Sequence, residues 1–186
     1  MNPAPNLVLV GPMGAGKSSI GKRLAGRFGL AFVDADREIE ARTGASVATI
    51  FECEGEAGFR AREAAALEAL LQREGLVVAT GGGAVLDPGS RERMRARGFV
   101  VHLQVSLARQ LERLARDRSR PLLAGDDREQ VLRRLSELRA PLYAEVADLC
   151  FDTDALFPPQ AAAQLARLLD AQWTRAARPD LQEHPA

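Results

Sequence analysis

Reactive side chains other than acids and arginines are scarce in this 186-residue chain, which has two cysteines, Cys53 and Cys150, and two histidines, His102 and His184. So few Cys and His residues cannot build zinc chemistry, and two distant thiols with no secretory signal before them do not make a disulfide framework. A reduced, cytoplasmic setting is the expectation. Net charge is missing as well, because 25 Lys plus Arg balance 25 Asp plus Glu. There is no global basic field to hold nucleic acid and no apolar run long enough to cross a membrane, so neither is expected as a partner. Aromatic residues are only 5% of the chain, little stacking surface for a nucleobase acceptor. No asparagine follows Asn6, which removes the N-K-x-D element expected of a GTPase switch. Lysine is confined to Lys17 and Lys22, so arginine is the default cation here and a lone arginine is weak evidence for a site.

What is present begins with Gly11-Pro12-Met13-Gly14-Ala15-Gly16-Lys17-Ser18, which fits G-x-x-x-x-G-K-[ST]. A short β-type apolar run at residues 7–10 precedes it, and residues 19–25 can open a helix, as a phosphate-binding loop requires. Glycines let such a loop curl its backbone N–H groups toward phosphate oxygens, and the helix adds the positive end of its dipole. Lys17 is placed to reach the β- and γ-phosphates and Ser18 to ligate Mg²⁺.

Composition and length suit one domain over residues 1–174, with residues 1–6 and the polar stretch 175–186 as frayed ends. Strands are expected at 7–10, 30–33, 76–80, 99–105 and 148–152. Helices are expected after the loop and at 37–43, 47–53, 56–74, 88–97, 107–117, 128–146 and 159–173. Continuous apolar strands alternating with helices imply an α/β fold in three αβα layers, with a five-stranded parallel sheet covered on both faces. Ligands then belong at the carboxyl ends of the strands. The phosphate loop, Asp34-Ala35-Asp36 and Gly81-Gly82-Gly83 each follow a strand, and so share one edge.

These stretches, with Gly58-Phe59-Arg60-Ala61-Arg62-Glu63, Arg120-Pro121-Leu122-Leu123 and Arg139-Ala140-Pro141-Leu142-Tyr143, give the chain a resemblance to the shikimate kinases, small P-loop kinases related to the nucleoside monophosphate kinases. The likeness runs from Leu7 to about Leu169. It implies Mg²⁺-dependent transfer of the ATP γ-phosphoryl group to the 3-hydroxyl of shikimate, on the route to chorismate and aromatic amino acids, by a monomer. By this resemblance Gly14, Ala15, Gly16, Lys17, Ser18 and Ser19 bind the nucleotide phosphates, Ser19 standing where threonine is commoner. Ser18 is the metal ligand and Asp34 acts on the metal through water. Asp36 accepts the hydroxyl proton and contacts substrate, Lys17 and Arg120 complete the catalytic set, and Arg60, Gly81, Gly82, Gly83 and Arg139 bind shikimate. Arg113 and Pro158 flank adenine, whereas Leu156 stands where relatives often carry arginine.

The residues themselves support part of this. A carboxylated substrate calls for bidentate cationic donors, which arginine provides. Val131, Leu135, Leu138 and Leu142 mark an apolar stripe with Arg139 at its border, and Phe59, Ala66 and Leu70 mark another with Glu63 inside it and Arg60 alongside. A carboxylate on a buried face needs a partner, so Glu63 is read as orienting Arg60. Asp34 and Asp36 would serve equally as helix caps. The glycine triplet fits either a plain turn or a close backbone approach to substrate. Residues 116–127 have the composition of a mobile lid that would exclude water. A kinase for gluconate or a nucleoside monophosphate is the nearer rival, and a nucleotide-binding module without turnover the more distant one.

Overall fold

The computed structural model describes residues 4–115, 121–123 and 127–174. Five strands, β1 (Asn6–Val10), β2 (Ala31–Asp34), β3 (Leu76–Ala79), β4 (Gly98–Gln104) and β5 (Leu149–Asp152), form one parallel sheet in the order β2-β3-β1-β4-β5. Seven α-helices accompany them among the described residues: α1 (Lys17–Phe28), α2 (Ala35–Thr43), α3 (Val47–Leu71), α4 (Pro88–Arg97), α5 (Leu107–Leu114), α6 (Arg128–Val146) and α7 (Pro158–Gln172). Alternate strand residues point to opposite faces. Leu7 and Leu9 of β1 therefore pack with Ile20 and Leu24 of α1 and Leu165 and Leu169 of α7. Val8 and Val10 pack with Leu67 and Leu70 of α3, Met94 of α4 and Val146 of α6 on the other side. The three-layer αβα arrangement and the parallel sheet agree with the sequence-based expectation.

The strand order matters for function because β1 lies between β3 and β4. Connections leave in opposite directions on its two sides, which opens a crevice beyond its carboxyl end. The phosphate loop is the segment that emerges there.

Several boundaries differ from expectation for physical reasons. Residues 4–6 are not frayed: Asn6 is buried at the start of β1, its Nδ2 donates to the carbonyls of Arg73 and Arg97, and its Oδ1 accepts from Leu76 N. The indole of Trp173 donates to Ala4 O at 3.1 Å, and Ala4 N donates to Thr174 O, joining the two ends of the described chain. Helix α2 begins at Ala35 instead of residue 37, because Asp34 caps it. The two helical pieces expected at 47–53 and 56–74 are both present within α3, parted at Gly55, whose φ of 70° and ψ of −177° no helix contains, and the second ends at Leu71 instead of residue 74. Arg62 spans that break with two hydrogen bonds to Glu54, at 2.8 and 2.7 Å.

Candidate active site

Gly11 closes off β1 with φ at +139°, and a Cβ there would stand 2.4 Å from the Leu103 carbonyl oxygen. Only glycine lets the loop leave the sheet at this point. Gly16 caps α1 in the left-handed region, so the loop turns back into a helix whose first N–H groups face the crevice. Lys17 Nζ donates to Gly11 O at 2.7 Å and Pro12 O at 2.9 Å, folded back over the loop. Ala15 has its side chain in the core, and its N–H donates to Pro12 O.

Asp34 does two things at once. One carboxylate oxygen accepts from the N–H groups of Asp36 and Arg37, capping α2, and the other accepts the Ser18 hydroxyl at 2.5 Å. Capping and site chemistry, equal readings of the sequence, prove to be compatible. A cleft of about 850 Å³ lies over the loop, lined by Gly14, Gly16, Lys17, Ser18, Ser19, Asp34 and Asp36 among others. A recess of about 60 Å³, lined by Arg60, Glu63, Gly81, Gly82, Gly83 and Arg139, shares Met13, Asp36, Val47 and Gly82 with it. Loop and arginine cup therefore meet along one rim.

The cup is an assembly of buried charges. Arg60 Nη1 donates to Glu63 Oε2 at 2.6 Å and its Nη2 to Glu56 Oε1 at 2.9 Å. Glu63 is 2% exposed and Arg139 4%. Burial raises the Glu63 pKa despite the opposing pull of Arg60. Burial also works against the Arg60 charge, but Glu63 and Glu56 outweigh it and hold its pKa above the usual arginine value. For Arg139 burial prevails and the pKa falls. Among the described residues, Glu63 Oε1 and Arg139 Nε are buried without a hydrogen-bond partner. Such atoms are costly unless a ligand completes them. Glu63 on the inner face of α3 agrees with its spacing, whereas the stripe expected on α6 holds in part: Val131, Leu135 and Leu142 are half-buried against the core, and Leu138 is not. Leu138 is 55% exposed, and the inner face carries Leu132, Arg139, Tyr143 and Val146.

The glycine triplet has no positive φ; its glycines are required from outside. A Cβ on Gly81 would lie 2.1 Å from Glu63 Oε1, and one on Gly83 would lie 2.3 Å from the Arg60 Cζ. Gly83→Ala should thus displace the Arg60 guanidinium and raise KM for the acceptor about tenfold or more, with KM for nucleotide within about twofold of wild type. Steady-state kinetics with each substrate varied separate the two constants.

Two predicted nucleotide residues stand outside the cleft lining. Arg113 Nη1 donates to Gly14 O at 2.9 Å and its Nη2 to Thr153 O at 2.6 Å, tying the phosphate loop to the segment after β5. Pro158 is the first residue of α7, next to Phe157, which is 73% exposed. Arg120, most of the expected lid and the tail at 175–186 lie outside the described residues; within the lid, residues 121–123 form a short 3-10 turn.

Two site residues carry no functional reading from the sequence. The Tyr143 hydroxyl donates to Gly82 O at 2.5 Å, and its ring stacks on His102, 4.8 Å between centroids. The four-residue spacing from Arg139 is the one sequence signal that pairs Tyr143 with the cup. Burial, then Lys17, lowers the His102 pKa from 6.5 to about 4. A histidine depressed in this way contributes stability that is complete above about pH 6.5 and is lost as pH falls through about 4. The stability advantage of wild type over His102→Asn should therefore shrink between pH 7 and 4 in denaturant titrations. A pH-independent difference would contradict a neutral buried imidazole.

A strand-loop-helix for phosphates, with an arginine-lined recess on the same rim of a parallel sheet, fits the class of small P-loop kinases. The sequence comparisons narrow this. The family model described as shikimate kinase matches residues 13–170. A shikimate kinase of Xanthomonas campestris pv. campestris (strain 8004) is 60% identical over 179 residues, 96% of this chain and 99% of the relative. The structure of an Acinetobacter baumannii shikimate kinase in complex with shikimate superimposes with a TM-score of 0.88 at 46% identity, covering 90% of this chain and 94% of that one. A shikimate kinase from Bacteroides thetaiotaomicron gives 0.81 at 33% identity, over 89% of this chain and 97% of that one. The chain belongs to the shikimate kinase family.

Proposed function

We propose that the protein transfers the γ-phosphoryl group of ATP to the 3-hydroxyl of shikimate. The observation that carries this reading is the common rim, with Asp36 and Gly82 lining both the cleft over the phosphate loop and the recess with Arg60 and Arg139. Arg60 and Arg139 hold the substrate carboxylate, and Glu63 fixes the fork of Arg60. The shikimate oxygen forms a bond to the γ-phosphorus as the bond from that phosphorus to the β–γ bridging oxygen breaks. Asp36 accepts the hydroxyl proton, and ADP departs. Lys17 exchanges its contacts with Gly11 O and Pro12 O for nucleotide phosphates, and the loop N–H groups hold the rest of the charge. Arg113 and Pro158 flank the adenine, and Arg120 reaches the phosphates from a lid that shuts out water.

Ser18 presents a hard oxygen donor beside the loop, and the Asp34 carboxylate, which accepts the Ser18 hydroxyl at 2.5 Å, is placed to hold a metal-bound water. That fits Mg²⁺, which takes one or two protein oxygens and fills its other positions with phosphates and water. The ion would neutralise phosphate charge when bound. Removing it with EDTA should abolish turnover, and added Mg²⁺ should restore it; turnover undiminished in EDTA would contradict the metal requirement.

Localisation and assembly follow the same reading, as a cytoplasmic monomer, and no helix among the described residues is long and apolar enough to cross a membrane. An ADP-release assay with shikimate, gluconate and nucleoside monophosphates as acceptors tests the function. Shikimate should exceed the others by at least about a hundredfold in kcat/KM, the discrimination expected when a site built to hydrogen-bond one substrate leaves its buried groups unpaired with another. A preference for gluconate or a nucleotide would overturn it.

A further inference from the structure

Tyr143 is 2% exposed and lies between the two parts of the cup that recognise the acceptor. Its hydroxyl has one proton, and that proton goes to Gly82 O at 2.5 Å. The oxygen keeps its lone pairs, and the Arg139 guanidinium stands beside it over the same glycine: a Cβ on Gly82 would lie 3.4 Å from Arg139 Nη1 and 3.7 Å from the Tyr143 hydroxyl oxygen. A trans peptide points its C=O and N–H in opposite directions. Fixing the Gly82 carbonyl on Tyr143 therefore turns the Gly83 N–H away from Tyr143, and Gly83 lines the recess. Arg139 itself is 4% exposed, and its Nε has no hydrogen-bond partner among the described residues. Behind the phenol, His102 of β4 stacks on the ring at an interplanar angle of 31° and keeps it from rotating.

We propose that Tyr143 is a positioning residue that sets the Arg139 guanidinium and the Gly82–Gly83 peptide unit in one register for the acceptor carboxylate and its neighbouring hydroxyls, with His102 as its backstop. The proposal rests on the reading of the recess as the shikimate site. Burial pushes the Tyr143 pKa up to about 12, so the hydroxyl keeps its proton, and with it the bond to Gly82, throughout the working pH range.

The test is a double-mutant cycle on equilibrium binding of shikimate, read by calorimetry, with wild type, Y143F, R139K and the double variant. Wild-type binding comes first, because failure of wild type to bind shikimate would overturn the function and not the role of Tyr143. Given that binding, Y143F, which keeps the ring on His102, should weaken shikimate affinity about tenfold while KM for ATP stays within about twofold. In the R139K background the same substitution should cost about threefold or less, since the hydroxyl no longer has a guanidinium to orient. Equal factors in the two backgrounds, unchanged binding in Y143F, or a rise in KM for ATP equal to that for shikimate would each overturn the proposal. A loss of native fold in Y143F, seen as a collapsed thermal transition, would count against it too by assigning the hydroxyl to the fold.

Discussion

Replacing Asp36 by asparagine should lower kcat by about two to four orders of magnitude while leaving KM for ATP near its wild-type value. The side chain stands on the first turn of α2, fixed by its own N–H to Asp34 Oδ1 at 3.2 Å. It lines both the cleft and the recess, and a Cβ on Gly81 would come within 2.9 Å of its Oδ1. Among the described residues no other carboxylate lines both spaces, and Glu63, which lines the recess, is held by Arg60 and raised in pKa by burial. Asparagine keeps the shape and can still hydrogen-bond a hydroxyl, but it cannot take a proton. The loss therefore falls on the chemical step. Steady-state kinetics read through ADP release measure it, and a kcat within about threefold of wild type would move the proton acceptor elsewhere.

The second large effect belongs to Arg139. Truncation to alanine should raise KM for shikimate about 30- to 1,000-fold, corresponding to roughly 2–4 kcal/mol for loss of one partner from a buried, charge-assisted contact. KM for ATP should change by less than about threefold. Arg60 offers the contrast that makes the result interpretable. Its charge is already matched by Glu63 and Glu56, whereas burial lowers the Arg139 pKa and, among the described residues, its Nε has no hydrogen-bond partner. The arriving carboxylate changes more at Arg139, so Arg60→Ala should have the smaller effect on binding. Equal rises in the two Michaelis constants for Arg139→Ala would place that residue in the fold or the nucleotide site.

The features legible in the sequence are those set by neighbours along the chain. The phosphate loop needs glycines at fixed offsets between a strand and a helix, and Gly11 and Gly16 adopt the backbone angles that make those offsets necessary. Glu63 shows itself because a carboxylate three residues from Arg60 on an apolar face has only that partner within reach. Arg139 is recognised by its motif, yet its face on α6 is not. Leu138 reads as core and is exposed, because α6 turns its polar pair Arg139 and Tyr143 inward to meet the glycine triplet.

Illegible features are those whose partners lie far along the chain. Asn6 looks like a polar end and is a buried strand residue because its amide meets carbonyls 67 and 91 residues away. His102 offers no motif, and its place against Tyr143 depends on how β4 and α6 pack. Arg113 reads as a nucleotide contact by resemblance, and its hydrogen bonds give it a further task, anchoring Gly14 to Thr153. Gly55 reads as the gap between two helical pieces and is one, but the clasp of Glu54 and Arg62 across it is not legible.

Phosphorus NMR of the products formed from ATP, Mg²⁺ and shikimate reads the shared rim directly. Transfer across that rim predicts one new phosphomonoester resonance on the shikimate carbon bearing the 3-hydroxyl, growing in step with ADP and accompanied by little inorganic phosphate. ADP formed together with inorganic phosphate alone, at a rate indifferent to shikimate, would contradict it.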